Sequence, residues 1–214
     1  MTDLWSERAE AYREVPEQRE GVDLDLIVEW ASEDGVRTAL DVATGGGHVT
    51  RRLREAGLEV VSSDPAPGMR PDVICPAEHL PFADGSFDLV VTRIAPHHFD
   101  DIALAVGEMG RVAAKLLIVE DTLYVSDDVE TAEKLRDPTH VCSYSEHEWR
   151  SFLDAAGFTV EAVELVEKRH PVEEWLARTE TSEKDAVRVR ELLAAHIDGG
   201  DYVDTKILLK GRKR

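Results

Sequence analysis

Two aspartates and a run of glycines carry the first legible chemistry. Asp41-Val42-Ala43-Thr44-Gly45-Gly46-Gly47-His48 follows a short apolar run, and Asp64 stands 19 positions after Gly45. Glycine has no Cβ and tolerates positive φ, so a ligand can approach the backbone of such a turn closely. Where a helix starts just after the turn, its unpaired N–H groups face that ligand. A carboxylate some twenty positions on can accept both hydroxyl protons of a ribose diol. An aspartate at a strand end can also merely cap the next turn, but the spacing of Asp64 favours the ribose. The set suits an adenosine-containing ligand. It lacks the G-x-G-x-x-G of a dinucleotide site, and His48 stands where a P-loop needs lysine.

Two other groups could handle protons or charge. His97 and His98 follow an apolar run, and histidine titrates near neutral pH, so either could take a proton from a phenol or an activated ring carbon. The plainer alternative has one ring bonded to its loop and the other packed beneath Phe99. Arg136, Asp137 and His140 form the second group: the arginine could clamp an acceptor's oxygen and His140 could act as base, or the three could tie down a helix end. Trp175 and Leu176 could line an acceptor pocket or pack the core.

These residues need a scaffold that brings strand ends together. Strands are expected near 38–40, 58–62, 72–75, 87–92 and 116–120, with helices over 48–56, 101–112, 128–136 and 145–156. Residues 4–31 carry apolar positions at helical spacing, among them Leu24, Ile27, Val28 and Ala31. Phe158–Val166 alternates, as a half-exposed strand does. Helices over 171–197 precede a last strand, Tyr202–Leu209. Strands alternating with helices imply a doubly wound α/β fold with a parallel sheet.

The segment Ala77-Glu78-His79-Leu80-Pro81-Phe82-Ala83-Asp84-Gly85-Ser86-Phe87-Asp88, together with Asp41–Gly47 and Asp64, resembles the class I S-adenosylmethionine (SAM) dependent methyltransferases. Within them it is most similar to the ubiquinone/menaquinone C-methyltransferase-like subgroup. The block 135–140, followed by Glu148-Trp149, resembles a stretch in a branch of small-molecule methyltransferases. The resemblance implies one domain over 1–214, with a Rossmann-like, seven-stranded, mostly parallel sheet and an antiparallel last strand beside the fifth. Helices in 1–31 would cap the site and those in 171–197 would be inserted before the last strand.

Carried over residue by residue, the resemblance puts Asp41, Ala43, Gly45 and Gly47 under the methionine part of SAM. Asp64 would hold the ribose, Met69 would pack near the adenine, and Ala77 and Glu78 would lie at its edge. Arg93 and His98 would approach the amino-acid end or the methyl group, and Tyr12 would close the pocket. Arg136, His140 and Trp175 would face the acceptor, and His97, His98 or His140 would supply any base. Some positions depart from the pattern. Ala43 replaces a glycine, and Pro76 stands where an aspartate often meets the adenine amine. Pro65, Pro67 and Pro71 leave little room for a helix between Asp64 and Ala77, so loop would form that side of the adenine pocket.

Composition narrows the partners. The net charge is −19, which disfavours a nucleic-acid substrate because a phosphate backbone would be repelled. The acid excess suits either a high-salt surface or ordinary solubility, and the basic end (Lys210, Arg212, Lys213, Arg214) reads as a solvated tail. Cys75 and Cys142 offer neither a disulfide framework nor metal spacing. No apolar run suggests a membrane span or a signal peptide, and a cytoplasmic location is the default. The expected function is methyl transfer from SAM to a small-molecule acceptor, quinone-like or otherwise aromatic, with no metal. The rivals are a regulatory SAM-binding protein without turnover and, less well matched by its glycines, a nicotinamide-dependent enzyme.

Overall fold

The computed structural model describes residues 4–7, 9, 19–32 and 35–214. Its centre is a sheet whose strands are β1 (Thr38–Val42), β2 (Glu59–Asp64), β3 (Val73–Ile74), β4 (Phe87–Arg93), β5 (Ala113–Thr122), β6 (Phe158–Pro171), β7 (Ile197–Asp198) and β8 (Asp201–Lys213). The order is β3-β2-β1-β4-β5-β8-β6, with the short β7 paired to β8. The first five strands are mutually parallel, and β8 runs antiparallel between β5 and β6. The main path therefore has the seven strands and the antiparallel last strand that the sequence led us to expect, and β7 is an addition.

Helices cover both faces: α1 (Val22–Ala31), α2 (His48–Glu55), α3 (Ile102–Val112), α4 (Asp127–Arg136), α5 (Glu146–Ala155), α6 (Val172–Ala177) and α7 (Glu183–Leu192). Their starts are written in side chains. Asp101 caps α3 by accepting from the Leu104 N–H, and Ser126 and Ser182 do the same for α4 and α7. Ser145 and Glu148 form a reciprocal capping box on α5. One apolar layer joins β1 and β4 to α3 and α5 through Leu40, Val90, Met109 and Trp149. The opposite layer joins them to α1 and α2 through Leu24, Ile27, Leu53 and Leu89. A strand covered on both faces needs no alternation, and this is why Leu89, Val90 and Val91 are all buried.

Between β2 and β3 the prolines admit only a 3-10 turn, Pro67–Met69, and no helix separates β3 from β4. The chain crosses itself there. The Gly68 N–H donates to Ser6 Oγ at 3.0 Å, and a Cβ on Gly68 would lie 2.5 Å from Ser6 Cα.

Two expectations are corrected. The basic end is not a solvated tail: Lys210–Lys213 belong to β8, Lys210 is buried, and Lys213 Nζ donates to the carbonyls of Gly110 and Ala113. Residues 171–197 are not wholly helical, since α6 and α7 give way to a 3-10 turn and β7. Both changes follow from the length of β6 and β8, which pair from Phe158↔Lys213 to Pro171↔Asp201. The paired ribbon thus runs far past the register of β5, which ends opposite Lys206.

Candidate active site

The carboxyl ends of β1, β2 and β4, the N-terminal segment, α4, α6 and the free end of the β6–β8 ribbon enclose a cavity of about 370 Å³. Asp41 organises its floor. Its Oδ2 accepts from Thr44 Oγ1 (2.6 Å), Thr50 Oγ1 (2.7 Å) and the Thr50 N–H (3.0 Å), so one oxygen ties the turn to α2. Burial pushes its carboxyl up to about 6 against those bonds. Gly45 (φ 50°) and Gly47 (φ 76°) hold left-handed conformations, and a Cβ on either would meet nothing within 4 Å. The turn therefore needs glycine for its backbone, and it leaves open space at Gly45 and Gly46, which both line the cavity. Ala43 (φ 55°) and Ile94 (φ 51°) adopt the same region without being glycine, and both line the cavity too. Strain of this kind clusters at binding sites.

Asp64 closes the turn from β2. Its Oδ2 accepts from the Gly45 N–H at 3.0 Å and its Oδ1 from the Ala66 N–H at 2.9 Å. Each oxygen keeps a second lone pair, so the carboxylate can still receive a diol. Burial raises its pKa. Met69, Ala77 and Glu78 line the same end, as does Pro76. Glu78 Oε1 also accepts from the Asp100 N–H. Gly47 serves instead as the N-cap of α2 and is not on the wall. Tyr12 lies outside the described residues.

The histidines meet in the middle. His97 Nδ1 lies 2.5 Å from Asp121 Oδ1 on β5, and no hydrogen bond among the described residues engages the other ring nitrogen. Burial holds His97 well below the ordinary imidazole range and lifts the Asp121 carboxyl to about 7. His98 Nδ1 bonds the Thr139 carbonyl at 3.0 Å, and burial lowers its pKa to about 3. The two rings lie 4.1 Å apart, with Trp5 edge-on to His98 at 4.8 Å. His140 is corrected. Its ring packs 5.2 Å from His97, but its Nε2 is held by Glu130 at 3.2 Å and it does not line the cavity.

The far wall is charged. Arg136 lies 4.2 Å over the Trp175 ring, and both line the cavity. Strand alternation puts Lys168 and His170 of β6 on one face with Asp204 and Lys206 of β8, and all four reach the wall. Beside them a buried network gathers at the end of β4: Asp23 of α1 accepts from Arg93 and from Lys168 (2.7 Å), and Arg93 Nε donates to Glu120 at 2.8 Å. Sequence reasoning missed Asp23, Asp121 and the four ribbon residues. For the ribbon residues the signal was a polar run continuing each strand, which reads equally well as loop.

The chain is similar to known proteins. Residues 40–116 match the family model described as "Methyltransferase domain". YcgJ of Bacillus subtilis, an uncharacterized methyltransferase, is 28% identical over 81% of this chain and 78% of its own length. YafE of Escherichia coli, also uncharacterized, is 35% identical over 56% of this chain, and the match spans 62% of YafE. A solved structure from Bacillus halodurans, described as a candidate methyltransferase, superposes with a TM-score of 0.79 at 28% identity, covering 90% of this chain and 99% of that one.

The matched domain and the superposed fold are those of the class I SAM-dependent methyltransferases. SAM is accordingly the cofactor of this methyltransferase. The residues present fit it: an open glycine turn, a buried carboxylate with spare lone pairs 19 positions on, and a loop-built adenine side. Among the described residues, no cluster could hold a metal ion and no helix is long and apolar enough to cross a membrane.

Proposed function

We propose that this methyltransferase methylates a small, ring-bearing acceptor in the half of the cavity bounded by His97, Trp175 and Arg136, with the cofactor over Asp41, Gly45 and Asp64. One observation carries the reading: the cavity is continuous from Asp64 past His97 to Trp175. SAM supplies a methyl group on a leaving sulfonium, so little covalent help is asked of the protein. Its residues have to align the acceptor and keep water out. Asp64 and the Gly45 turn position one partner. Trp5 offers apolar ring surface to the other, and Trp175 reaches the wall beneath Arg136.

His97 is the group placed to take a proton where the acceptor must lose one. With Asp121 ionised, Nδ1–H donates to the carboxylate and the remaining ring nitrogen keeps its lone pair. The acid-rich surface disfavours a nucleic-acid acceptor. Calorimetric titration with SAM, S-adenosylhomocysteine and NAD tests the reading. We expect saturable binding of the first two only, weakened at least about tenfold in Asp64→Ala because two charge-assisted hydrogen bonds go with the carboxylate. Binding of NAD instead would sink it. A regulatory SAM binder is the second reading, motivated by Pro76 on the adenine side. It predicts the same titration with no turnover on any acceptor.

A further inference from the structure

The acceptor end of the cavity has more donors than partners. The Arg136 side chain is 12% exposed. Its Nε donates to the Trp175 carbonyl at 3.2 Å, its Nη1 stands 3.5 Å from Glu133, and its Nη2 makes no hydrogen bond among the described residues. Lys206, opposite Thr122 in register, spends two donors, on Thr122 Oγ1 (2.7 Å) and Asp204 Oδ2 (2.6 Å), and keeps a third. Buried His170 leaves Nδ1 without a partner. Arg136, Lys206 and His97 all line the same cavity.

The carboxylates nearby already face cations. Asp204 faces Lys206 at 2.6 Å and His170 at 3.5 Å, and Glu133 faces Arg136 and the Tyr202 hydroxyl. An amine acceptor would meet two cations, and the carboxylates there already face cations: even Asp204 Oδ1, which makes no hydrogen bond, lies 3.5 Å from His170. An oxyanion would satisfy the remaining guanidinium nitrogen and the third ammonium donor at once.

We propose that the acceptor is an anion, its carboxylate or phosphate group bound by Arg136 and Lys206 with its ring toward Trp175. This rests on the proposed use of the cavity as an acceptor site. The test is calorimetry on the S-adenosylhomocysteine-saturated protein with four probes: benzoate, phenyl phosphate, benzamide and benzylamine. At least one anion should bind about tenfold or more tightly than benzamide, and whichever anion wins assigns carboxylate or phosphate. Arg136→Gln should lose that preference, and Arg136→Lys, which keeps the charge without the fork, should lose part of it. Both should bind S-adenosylhomocysteine within about twofold of the parent. Benzamide or benzylamine binding as well as the anions, or an unchanged preference in Arg136→Gln, overturns the proposal. Failure to bind S-adenosylhomocysteine removes the proposed function itself, whereas cofactor binding without anion preference removes this inference alone.

Discussion

Asp121 on β5 holds the ring of His97 through a 2.5 Å contact to Nδ1, so a carboxylate buried beneath the cavity fixes the orientation of an imidazole on its wall. Such a pair sets the tautomer and leaves the second nitrogen to face chemistry. For an acceptor that must lose a proton, His97→Ala should lower kcat by about 100-fold or more while leaving S-adenosylhomocysteine affinity within about twofold. Single-turnover kinetics check this. Equal losses in kcat and cofactor affinity would reduce His97 to a packing residue.

The same pair gives a signed pH dependence. Burial raises the folded pKa of Asp121 from 3.8 to about 7, so the native state holds a proton that the unfolded chain has released. That contribution to stability is present below about pH 4 and falls away as pH rises to about 7, by at most about 1.4 kcal/mol per pH unit. Asp121→Asn removes the group. The stability of the variant relative to the parent should therefore improve between pH 4 and 7, measured by urea unfolding. A difference independent of pH would contradict the assignment. Turnover in the parent should rise through pH 7 as the carboxylate ionises.

Gly68 allows the N-terminal segment to lie on the 3-10 turn whose Met69 lines the cavity. Gly68→Ala puts a methyl group against the backbone of Ser6, which must move. We expect faster amide hydrogen exchange over residues 4–7 and about three- to tenfold weaker cofactor binding, with the sheet unaffected. Unchanged exchange in that segment would mean that it does not depend on this crossing.

Asp23 anchors α1 by accepting from both Arg93 and Lys168 in the interior. Asp23→Ala leaves the two cations sharing a site without that carboxylate and should cost about 3 kcal/mol or more, read from the urea midpoint. A loss under about 1 kcal/mol would show that Glu120 alone balances the cluster.

The sheet was legible in the sequence because its signals are local: continuous apolar runs for β4 and β5, a glycine turn after β1, a carboxylate closing β2. The cofactor half of the site follows from the same signals, since Asp41, Gly45 and Asp64 lie within one β-α-β unit. The acceptor half does not. Asp121 meets His97 across 24 positions and Asp23 meets Lys168 across 145, and pattern alone does not pair such residues. Lys168, His170, Asp204 and Lys206 were hidden for another reason. Once two strands leave the sheet's core, their inward residues need not be apolar, and the alternation that reveals a strand loses its contrast. His140 failed differently: Glu130 on the preceding helix claims its ring.

The ribbon of β6 and β8 also limits how this enzyme's selectivity can drift. Side chains on a strand face the wall at every second position, so a single inserted or deleted residue between Leu208 and Asp204 would turn Lys206 and Asp204 away from the cavity and present their neighbours. Heritable change there is confined to substitutions, or to insertions in pairs. The stretch between α6 and α7 carries no such parity and can lengthen freely. Within a lineage, the charge of this wall should therefore vary by replacement at fixed length, while the cover above it varies in length.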